Sequence, residues 1–410
     1  MRSMVSFWVM VAASVILAAS AAPGQTSLTE IPLPPGTNNA TGAGAVSADG
    51  SVVAGQVANS TDANFWTNPR LIRWTQSGGT EVLSTSYFGT AKGISADGSV
   101  VVGGILSVLR WTRDTGVQTV TTPWSAMPTG LSANGSVIVG FGVPSGSGWV
   151  PFRWDSVSGV QAVGDPNGVG DVRAANQNGS VLVGTLNSNS GQQEAVLWDA
   201  AGTPIPLPGW RAYGVSGDGR IVVGEGANPP HALRWVVGSG GVESTTDLGT
   251  LLGPSGQPLQ RSQATAVSAD GSTVVGFCYD TLPPAWAFVW RPGLGMIDLK
   301  AYVAARGGDV SGWDLYFARA VSANGRVIVG NGLHNGAVRG FVASLPPWCG
   351  SADFNGDGDV GTDADIEAFF SCLAGFCCPT CGSADFNGDG DLRTDADIES
   401  FFRVLAGGTC

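Results

Sequence analysis

The amino-acid sequence predicts an all-β protein, a seven-bladed β-propeller closed by an N-terminal strand, followed by a small α-helical module. The 410 residues include 62 glycines and only 13% charged residues, which favours turn-rich β-structure over a helical bundle. A hairpin-like unit recurs seven times before Pro346. The last unit lacks a strand that is found at the start of the chain. These observations together predict a closed ring of small sheets.

Each repeat has a core of the form Ala-Val-Ser-Ala-Asp-Gly-Ser-Val-Val-Val-Gly. The Asp-Gly or Asn-Gly pair predicts a tight turn between two strands, so we interpret Asp49, Asp97, Asp218 and Asp270 as turn formers. The second strand is almost entirely apolar, which indicates burial on both faces. The seven copies, 37 to 54 residues apart, are Ala45–Gly55, Gly93–Gly103, Gly130–Gly140, Ala174–Gly184, Gly214–Gly224, Ala266–Gly276 and Ala320–Gly330.

Two further strands follow each hairpin, and four short strands in about 45 residues match one propeller blade. The third strand ends at a tryptophan that we assign to the core: Trp74, Trp111, Trp154, Trp198, Trp235 and Trp290, with Phe341–Ala343 in the seventh unit. The predicted fourth strands are Glu81–Leu83, Val117–Val120, Val160–Val163, Ile205–Leu207, Asp247–Leu248 and Ile297–Leu299.

The seventh unit has no fourth strand, because Pro346 and Pro347 follow its third strand at once. The segment Glu30–Pro34 is similar to Pro204–Pro208, which contains the fourth strand of the fourth unit. We therefore expect the N-terminal strand to complete the last blade, which removes exposed sheet edges. The predicted propeller covers residues 27–345; an open β-solenoid is the alternative.

The segments Asp247–Leu251, Ala266–Gly276 and Ala287–Trp290 resemble the HAF-type extracellular repeat. That resemblance implies an exported repeat protein and leaves the biochemical activity open. The N-terminus agrees: Arg2 precedes an apolar stretch, Val5–Ala18, and small residues end at Ala21. This pattern is typical of a signal peptide over residues 1–21 and predicts a secreted or cell-surface protein. A membrane anchor is the alternative, although the apolar stretch is short for a transmembrane span.

Residues 345–410 carry twelve acidic and two basic side chains, a net charge of −10 out of −12 for the whole chain. So compact an acidic block needs cations or stays disordered. No basic cluster exists, which argues against a nucleic-acid partner. Two copies of Cys-Gly-Ser-Ala-Asp-Phe-Asn-Gly-Asp-Gly-Asp begin at Cys349 and Cys381. The region 346–410 is therefore predicted to be a tandem calcium-loop module; a solvated acidic linker is the alternative.

Oxygen ligands alternating along a tight loop are what Ca²⁺ prefers, and two ions are expected. The predicted ligands are Asp353, Asn355, Asp357, Asp359 and Asp365 in the first loop and Asp385, Asn387, Asp389, Asp391 and Asp397 in the second. The usual closing position holds Ala364 and Ala396, so Asp365 and Asp397 lie one residue late, and Asp363 and Asp395 are alternatives. The loops resemble a dockerin pair, which implies a cohesin-like partner for the helices Asp365–Leu373 and Asp397–Leu405.

Six of the seven cysteines lie in this module, which suits an oxidising compartment. Their symmetric spacing suggests the disulfides Cys349–Cys378 and Cys381–Cys410, with Cys372–Cys377 as a third. Ligation of a metal by the thiolates of Cys377, Cys378 and Cys381 is the alternative.

Catalytic signals are few: the chain has two histidines and no nucleophile elbow, zinc-binding histidine pair or phosphate loop. A glycoside hydrolase needs only two suitably spaced carboxylates. The candidates are Asp155, Asp165, Asp171, Glu194, Glu225, Asp280, Asp309 and Asp314. An enzyme therefore stays open but is not favoured.

Six tryptophans outside the repeat register lie before first or third strands and should share one end of the ring. They are Trp66, Trp124, Trp149, Trp210, Trp286 and Trp313. An aromatic rim suits stacking on sugar rings, but anchoring of loops by tryptophan packing onto the rim is the favoured interpretation. The favoured function is an exported, non-enzymatic binding or display propeller, attached to a partner through its calcium module. The alternatives are a polysaccharide-active hydrolase and a structural cell-surface protein.

Overall fold

Seven antiparallel sheets of four strands each form the propeller in a computed structural model of the chain. The structure describes residues 26–35, 40–58, 68–84, 86–144, 148–164, 169–187, 192–281, 284–346, 350, 352–355, 357, 359–378, 381, 384, 386–387 and 393–407. The predicted seven-bladed all-β fold is confirmed. Within these residues, no helix is long and apolar enough to cross a membrane.

The first six sheets each use four consecutive strands, and the seventh joins the N-terminal strand to the last three. The strands are β1 (Ser27–Glu30), β2 (Ala40–Val46), β3 (Val52–Ala58), β4 (Arg70–Thr75), β5 (Gly79–Val82), β6 (Thr90–Ile94), β7 (Val100–Gly104), β8 (Val108–Thr112), β9 (Gly116–Val120), β10 (Ser125–Leu131), β11 (Ile138–Val143), β12 (Val150–Asp155), β13 (Gly159–Ala162), β14 (Gly170–Ala175), β15 (Leu182–Asn187), β16 (Gln193–Trp198), β17 (Pro204–Leu207), β18 (Arg211–Val215), β19 (Ile221–Glu225), β20 (Ala232–Gly238), β21 (Gly241–Asp247), β22 (Arg261–Val267), β23 (Val274–Tyr279), β24 (Trp286–Arg291), β25 (Gly295–Asp298), β26 (Trp313–Val321), β27 (Val327–His334) and β28 (Ala337–Ser344). The helices are α1 (Leu299–Ala304), α2 (Asp363–Leu373) and α3 (Asp395–Leu405).

The ring closes as predicted, through pairing of β1 with β28. The closing strand lies slightly earlier than the similarity to Pro204–Pro208 suggests. Ser27–Glu30 forms the strand, and the N–H of Ile31 donates one more bond to the carbonyl of Gly340 at 2.9 Å. Pro32 and Pro34 have no N–H to continue the ladder, so the chain leaves the sheet there.

The Asp/Asn-Gly turns hold the blades together at one end of the ring. In the first blade, Asp49 accepts hydrogen bonds from the Ser47 hydroxyl at 2.7 Å and from the Ser51 N–H at 2.9 Å. The predicted role of these residues as turn formers is confirmed. The residue before each turn also joins neighbouring blades. Seven backbone bonds run around the ring, from Ala48 to Ala96, Ala96 to Ala133, Asn134 to Gln177, Gln177 to Gly217, Gly217 to Ala269, Ala269 to Ala323 and Ala323 to Ala48.

Two local predictions of secondary structure are wrong. The fourth strand of the fifth blade is Gly241–Asp247, so the predicted Asp247–Leu248 is only its end. The turn between the third and fourth strands of this blade lies at Gly240-Gly241, earlier than predicted. Leu248 follows the strand and is buried. The short helix α1 was not expected after Asp298. The carboxylate of Asp298 caps it by accepting a hydrogen bond from the N–H of Ala301 at 2.8 Å.

Candidate functional site

The C-terminal module is built around four phenylalanines that are at most 1% exposed. Phe369 of α2 stacks on Phe401 of α3, with ring centroids 4.0 Å apart, and Phe354 faces Phe386 at 6.2 Å. The members of each pair are 32 residues apart and hold the same place in the two sequence copies. Contacts between equivalent residues indicate a local two-fold relation between the two halves.

A buried aspartate joins each loop to the helix that follows it. Both oxygens of Asp365 accept protein hydrogen bonds: Oδ1 from the N–H groups of Phe354 (2.7 Å) and Asn355 (3.2 Å), and Oδ2 from the N–H (2.9 Å) and hydroxyl (3.0 Å) of Thr362. Burial raises the pKa of Asp365, but these hydrogen bonds outweigh it and the net pKa is lowered. Asp365 is therefore held as a charged clasp between loop and helix.

The second half repeats this arrangement. Asp397 is fully buried and accepts hydrogen bonds from Phe386, Asn387 and Thr394 at 2.8 to 3.4 Å. By contrast, Asp363 is exposed in the first turn of α2, and Asp395 is exposed in the first turn of α3. The sequence left two pairs of carboxylates as candidates for the closing ligand. Asp365 and Asp397 accept hydrogen bonds from the protein, whereas Asp363 and Asp395 face solvent.

The first loop places its polar side chains next to one another. Asn355 donates to Asp357 at 2.8 Å, and the N–H of Asp359 donates to the Asp357 carboxylate at 2.9 Å. Asp353 precedes Asn355 by two residues in the sequence. The atoms of these side chains that could ligate a metal are oxygens, which suit Ca²⁺ better than softer metals. In the described part of the chain no three acidic, His or Cys side chains converge as a ready metal cluster. The predicted ligands Asp385, Asp389 and Asp391 lie outside the described residues.

The cysteine pairing differs from the symmetric prediction. Cys372–Cys377 is confirmed, but Cys378 is bonded to Cys381. The predicted Cys349–Cys378 and Cys381–Cys410 bonds are therefore wrong. The physical reason is a tight turn, in which the N–H of Cys381 donates to the carbonyl of Cys378 at 3.1 Å and brings the two side chains together. Cys349 and Cys410 lie outside the described residues.

The first strands of all seven blades surround a central channel with a cavity of about 740 Å³. Each first strand carries a β-bulge at the same place in every blade, and β26 has a second bulge at Tyr316. A bulge leaves its residue out of the ladder and redirects the side chain. The seven bulge residues all line the channel, and they are Gly44, Lys92, Thr129, Arg173, Tyr213, Thr265 and Arg319. We call them the bulge ring.

The uncharged members of the bulge ring serve contacts between blades. The hydroxyl of Thr265 donates to the carbonyl of Ala318 in the next blade at 2.7 Å, and Thr129 makes the equivalent bond to Val172. A Cβ on Gly44 would lie 2.5 Å from the carbonyl oxygen of Ala91. Sequence reasoning missed this ring. The signal was present, since each member is the residue directly before one copy of the repeat.

The five described tryptophans of the predicted rim all stand at the start of a first or third strand, or one residue before it. They differ in exposure. Trp149 is 49% exposed and Trp210 is 37% exposed, whereas Trp313 is 3% exposed and stacks on His334. Trp124 and Trp286 are half-buried. Trp66 lies outside the described residues. Only Trp149 and Trp210 therefore offer substantial surface at this rim among the residues described.

The structure buries two of the candidate catalytic carboxylates, and each has an arginine partner. Asp171 pairs with Arg173 at 2.5 Å, and Glu225 pairs with Arg261 at 2.9 Å. Of the other candidates, Glu194, Asp280, Asp309 and Asp314 are exposed and Asp155 is half-buried, while Asp165 lies outside the described residues. The two buried candidates are therefore each held in an ion pair with an arginine.

No family model and no curated protein matches this sequence. Solved structures are similar in fold. The β-propeller domain of Cps50 (Swd1) from Myceliophteria thermophila matches with a TM-score of 0.50 and 11% identity, over 78% of this chain and 99% of that one. Hydrazine synthase of Kuenenia stuttgartiensis matches with a TM-score of 0.44 and 14% identity, over 75% and 98%.

TolB from Acinetobacter baumannii matches with a TM-score of 0.40 and 12% identity, over 72% of this chain and 64% of that protein. The chain thus spans about two thirds of the length of this TolB. Identities this low show the fold alone. The chain is a seven-bladed β-propeller protein with a small helical module after the ring.

Proposed function

We propose that this chain is an exported, non-enzymatic binding protein whose propeller is displayed on a C-terminal module organised by calcium. The observation that carries the proposal is the duplicated loop–helix unit, in which Asp365 and Asp397 hold each loop against its helix. The propeller fold is consistent with binding or scaffolding. The buried, arginine-paired carboxylates Asp171 and Glu225 do not favour a hydrolase.

Two calcium ions are proposed, one in each loop. The ligands of the first are Asp353, Asn355, Asp357 and the carbonyl of Asp359, and the second loop uses the equivalent residues 32 positions later. Since Asp365 is occupied by four protein donors, the exposed Asp363 is the better candidate to complete the first site. Calcium would neutralise a segment with a net charge of −10.

Export is proposed from the signal-peptide pattern of residues 1–21, which lie outside the described part of the chain. The disulfides Cys372–Cys377 and Cys378–Cys381 support it, because disulfides persist mainly in oxidising compartments. The module would then work outside the cell, where free calcium is abundant enough for loops of modest affinity.

A partner surface is proposed on the two helices. Phe370 of α2 and Phe402 of α3 are 43% and 46% exposed, and their ring centroids lie 6.2 Å apart. Exposed aromatic side chains that adjoin one another are typical of binding sites. The duplicated loops resemble a dockerin, so a cohesin-like protein is the proposed partner. Calcium would position both rings by ordering the loops that precede the helices.

Carbohydrate is a second proposed ligand, on the propeller rim. Trp149 stacks on Phe141, with centroids 4.7 Å apart, and still exposes half its surface. Trp210 lies under the guanidinium of Arg261 at 5.8 Å. Rigid, partly exposed indole rings suit stacking on sugars. Polysaccharide binding should be lost in Trp149→Ala/Trp210→Ala and retained in Trp313→Phe, a buried control; equal binding by both variants would exclude it.

Differential scanning calorimetry of the full chain with calcium and with a chelator tests the main proposal. Calcium should raise the unfolding transition of the module and leave that of the propeller unchanged. The gain should vanish in Asp357→Asn/Asp389→Asn. It should persist in the control Asp114→Asn/Asp314→Asn, which makes the same charge change on the propeller surface. A calcium-independent scan of the wild type would overturn the proposal.

A further inference from the structure

The charge of the channel is opposite to that of the protein. The cavity lining includes four cationic side chains, Lys92, Arg173, Arg211 and Arg319, and no Asp or Glu. The chain as a whole carries a formal charge of −12 and only two lysines. Three of the four cations belong to the bulge ring and so lie at one level of the channel. The electrostatic potential at this level of the channel is therefore positive, although the protein as a whole is acidic.

The propeller architecture does not require these charges. Gly44, Thr129, Tyr213 and Thr265 hold the same bulge position in the other four blades without any charge. The cations are therefore not needed to make the bulge or to join the blades. The fold does not explain why three side chains at one level of the channel carry the same charge. A ligand of opposite charge would explain it.

Three of the four cations form no ion pair among the described residues. Arg173 pairs with Asp171, and Arg211 donates to Gln193 at 2.9 Å. Among the described residues Lys92 forms no ion pair, and the guanidinium of Arg319 lies over the ring of Phe317, 4.5 Å from its centroid. Both side chains are solvent-exposed and line the channel. A channel lined by charges of one sign concentrates counter-ions between its walls.

The electrostatic surroundings show that the cations act on one another. Burial first, and then the charges of Arg319 and Arg173, lower the pKa of Lys92. Burial also lowers the pKa of Arg319 to about 10. Lys92, Arg319 and Arg173 line the same cavity, so their charges add to one positive potential there.

We infer that the channel binds a small molecule with one or more oxyanion groups, held between Lys92, Arg319 and Arg173. The cavity of about 740 Å³ is larger than one inorganic anion needs and lies in the range of small-molecule sites. The shared chemistry is that of carboxylate, sulfate or phosphate, each of which accepts charge-assisted hydrogen bonds. This inference deepens the binding role proposed for the propeller and rests on it, but it does not depend on the calcium module.

The test is isothermal titration of the full chain with succinate, sulfate and inorganic phosphate, at constant ionic strength and without calcium. At least one should bind with a stoichiometry of one, which also identifies the preferred oxyanion. Lys92→Gln/Arg319→Gln should weaken binding at least about tenfold. Arg113→Gln/Lys300→Gln removes the same two charges from the outer surface and should bind like the wild type.

Thermal unfolding in chloride shows whether each variant is folded, and anion-induced stabilisation should be present in the wild type and absent from the channel variant. No binding of any of the three anions to the wild type at concentrations of about 10 mM would overturn the inference. Equal binding by the channel variant would overturn it as well. Binding of the anion without binding of calcium would support the channel site and contradict the calcium module. Binding of calcium without binding of the anion would support the module and contradict the channel site.

Discussion

Arg339 donates its Nε–H to a carboxylate oxygen of Glu30 at 2.8 Å, although the two residues are 309 positions apart in the chain. The other carboxylate oxygen contacts Nδ1 of His334 at 2.5 Å, and the imidazole ring stacks on Trp313. Glu30 is the last residue of the strand that closes the ring. The side chains of one blade thus fasten the N-terminal strand in addition to the backbone ladder.

Replacing Glu30 by Ala should therefore loosen the closure. It removes two charge-assisted contacts at a partly buried position, and we expect a loss of about 1–3 kcal/mol in the free energy of unfolding. The matched control is Glu81→Ala, because Glu81 pairs with Arg113 at 3.4 Å with both side chains well exposed. That change should cost about 0–1 kcal/mol. Equal thermal shifts for the two variants would contradict the fastening role.

The turn glycines allow a separation of backbone strain from packing. Gly98 has φ +69°, and an added Cβ would lie 2.7 Å from Cγ2 of Val52 in the preceding blade. Gly79 has φ +66° with open space around it. We expect Gly79→Ala to lose about 1–2 kcal/mol from the left-handed backbone alone. Gly98→Ala should lose about 1–3 kcal/mol more, because the turn must move away from the neighbouring blade. Similar losses by chemical denaturation would show that the blades do not press on the turns.

The turn carboxylates should produce a pH dependence at low pH. Hydrogen bonds from the Ser95 hydroxyl, and then from the N–H and hydroxyl of Ser99, lower the pKa of Asp97 to about 2. The folded pKa is below the unfolded value of about 3.9. The contribution to stability is therefore complete above that value and is lost as the pH falls towards 2.

Asp97→Asn is the matched variant, because Asn134, Asn178 and Asn324 already occupy this turn position in three other blades. The difference in melting temperature between wild type and variant should be constant from pH 5 to 7 and should change between about pH 4 and 2. The effect should be small, because Asp97 is exposed and solvent screens it. A difference that is independent of pH would exclude the carboxylate's contribution.

The two aspartates at the start of α2 should behave differently. Asp365→Ala leaves four donors of the module without their acceptor, and we expect a loss of about 3 kcal/mol or more and melting of the helix by circular dichroism. Asp363→Ala removes an exposed side chain and should cost less than about 0.5 kcal/mol in chelator. It should weaken only calcium binding. Equal loss of helix in both variants would refute the assignment of Asp365 as the clasp.

Local sequence patterns predicted the propeller well. The Asp/Asn-Gly pairs define the hairpins. Pro346 indicated that the seventh unit lacks a fourth strand, and Ser27–Glu30 supplies that strand. The repeat places each member of the bulge ring at an equivalent position, but the bulge itself depends on the register between strands, which a single sequence does not reveal. Cys378 pairs with Cys381 because a local turn brings the two residues together. The equal spacing of cysteines in the two copies did not indicate this turn. The burial of Asp365 depends on the loop folding back onto its helix, which spacing alone could not show.

The central claim is that calcium organises the C-terminal module on which the propeller is displayed. Isothermal titration of calcium into the full chain, freed of metal by chelation, tests it most directly. We expect two ions per chain, one for each loop, with a gain in helix content over the same titration. Asp357→Asn should leave one ion bound. A chain that takes up no calcium at about 1 mM, the upper range for extracellular sites, would contradict the claim.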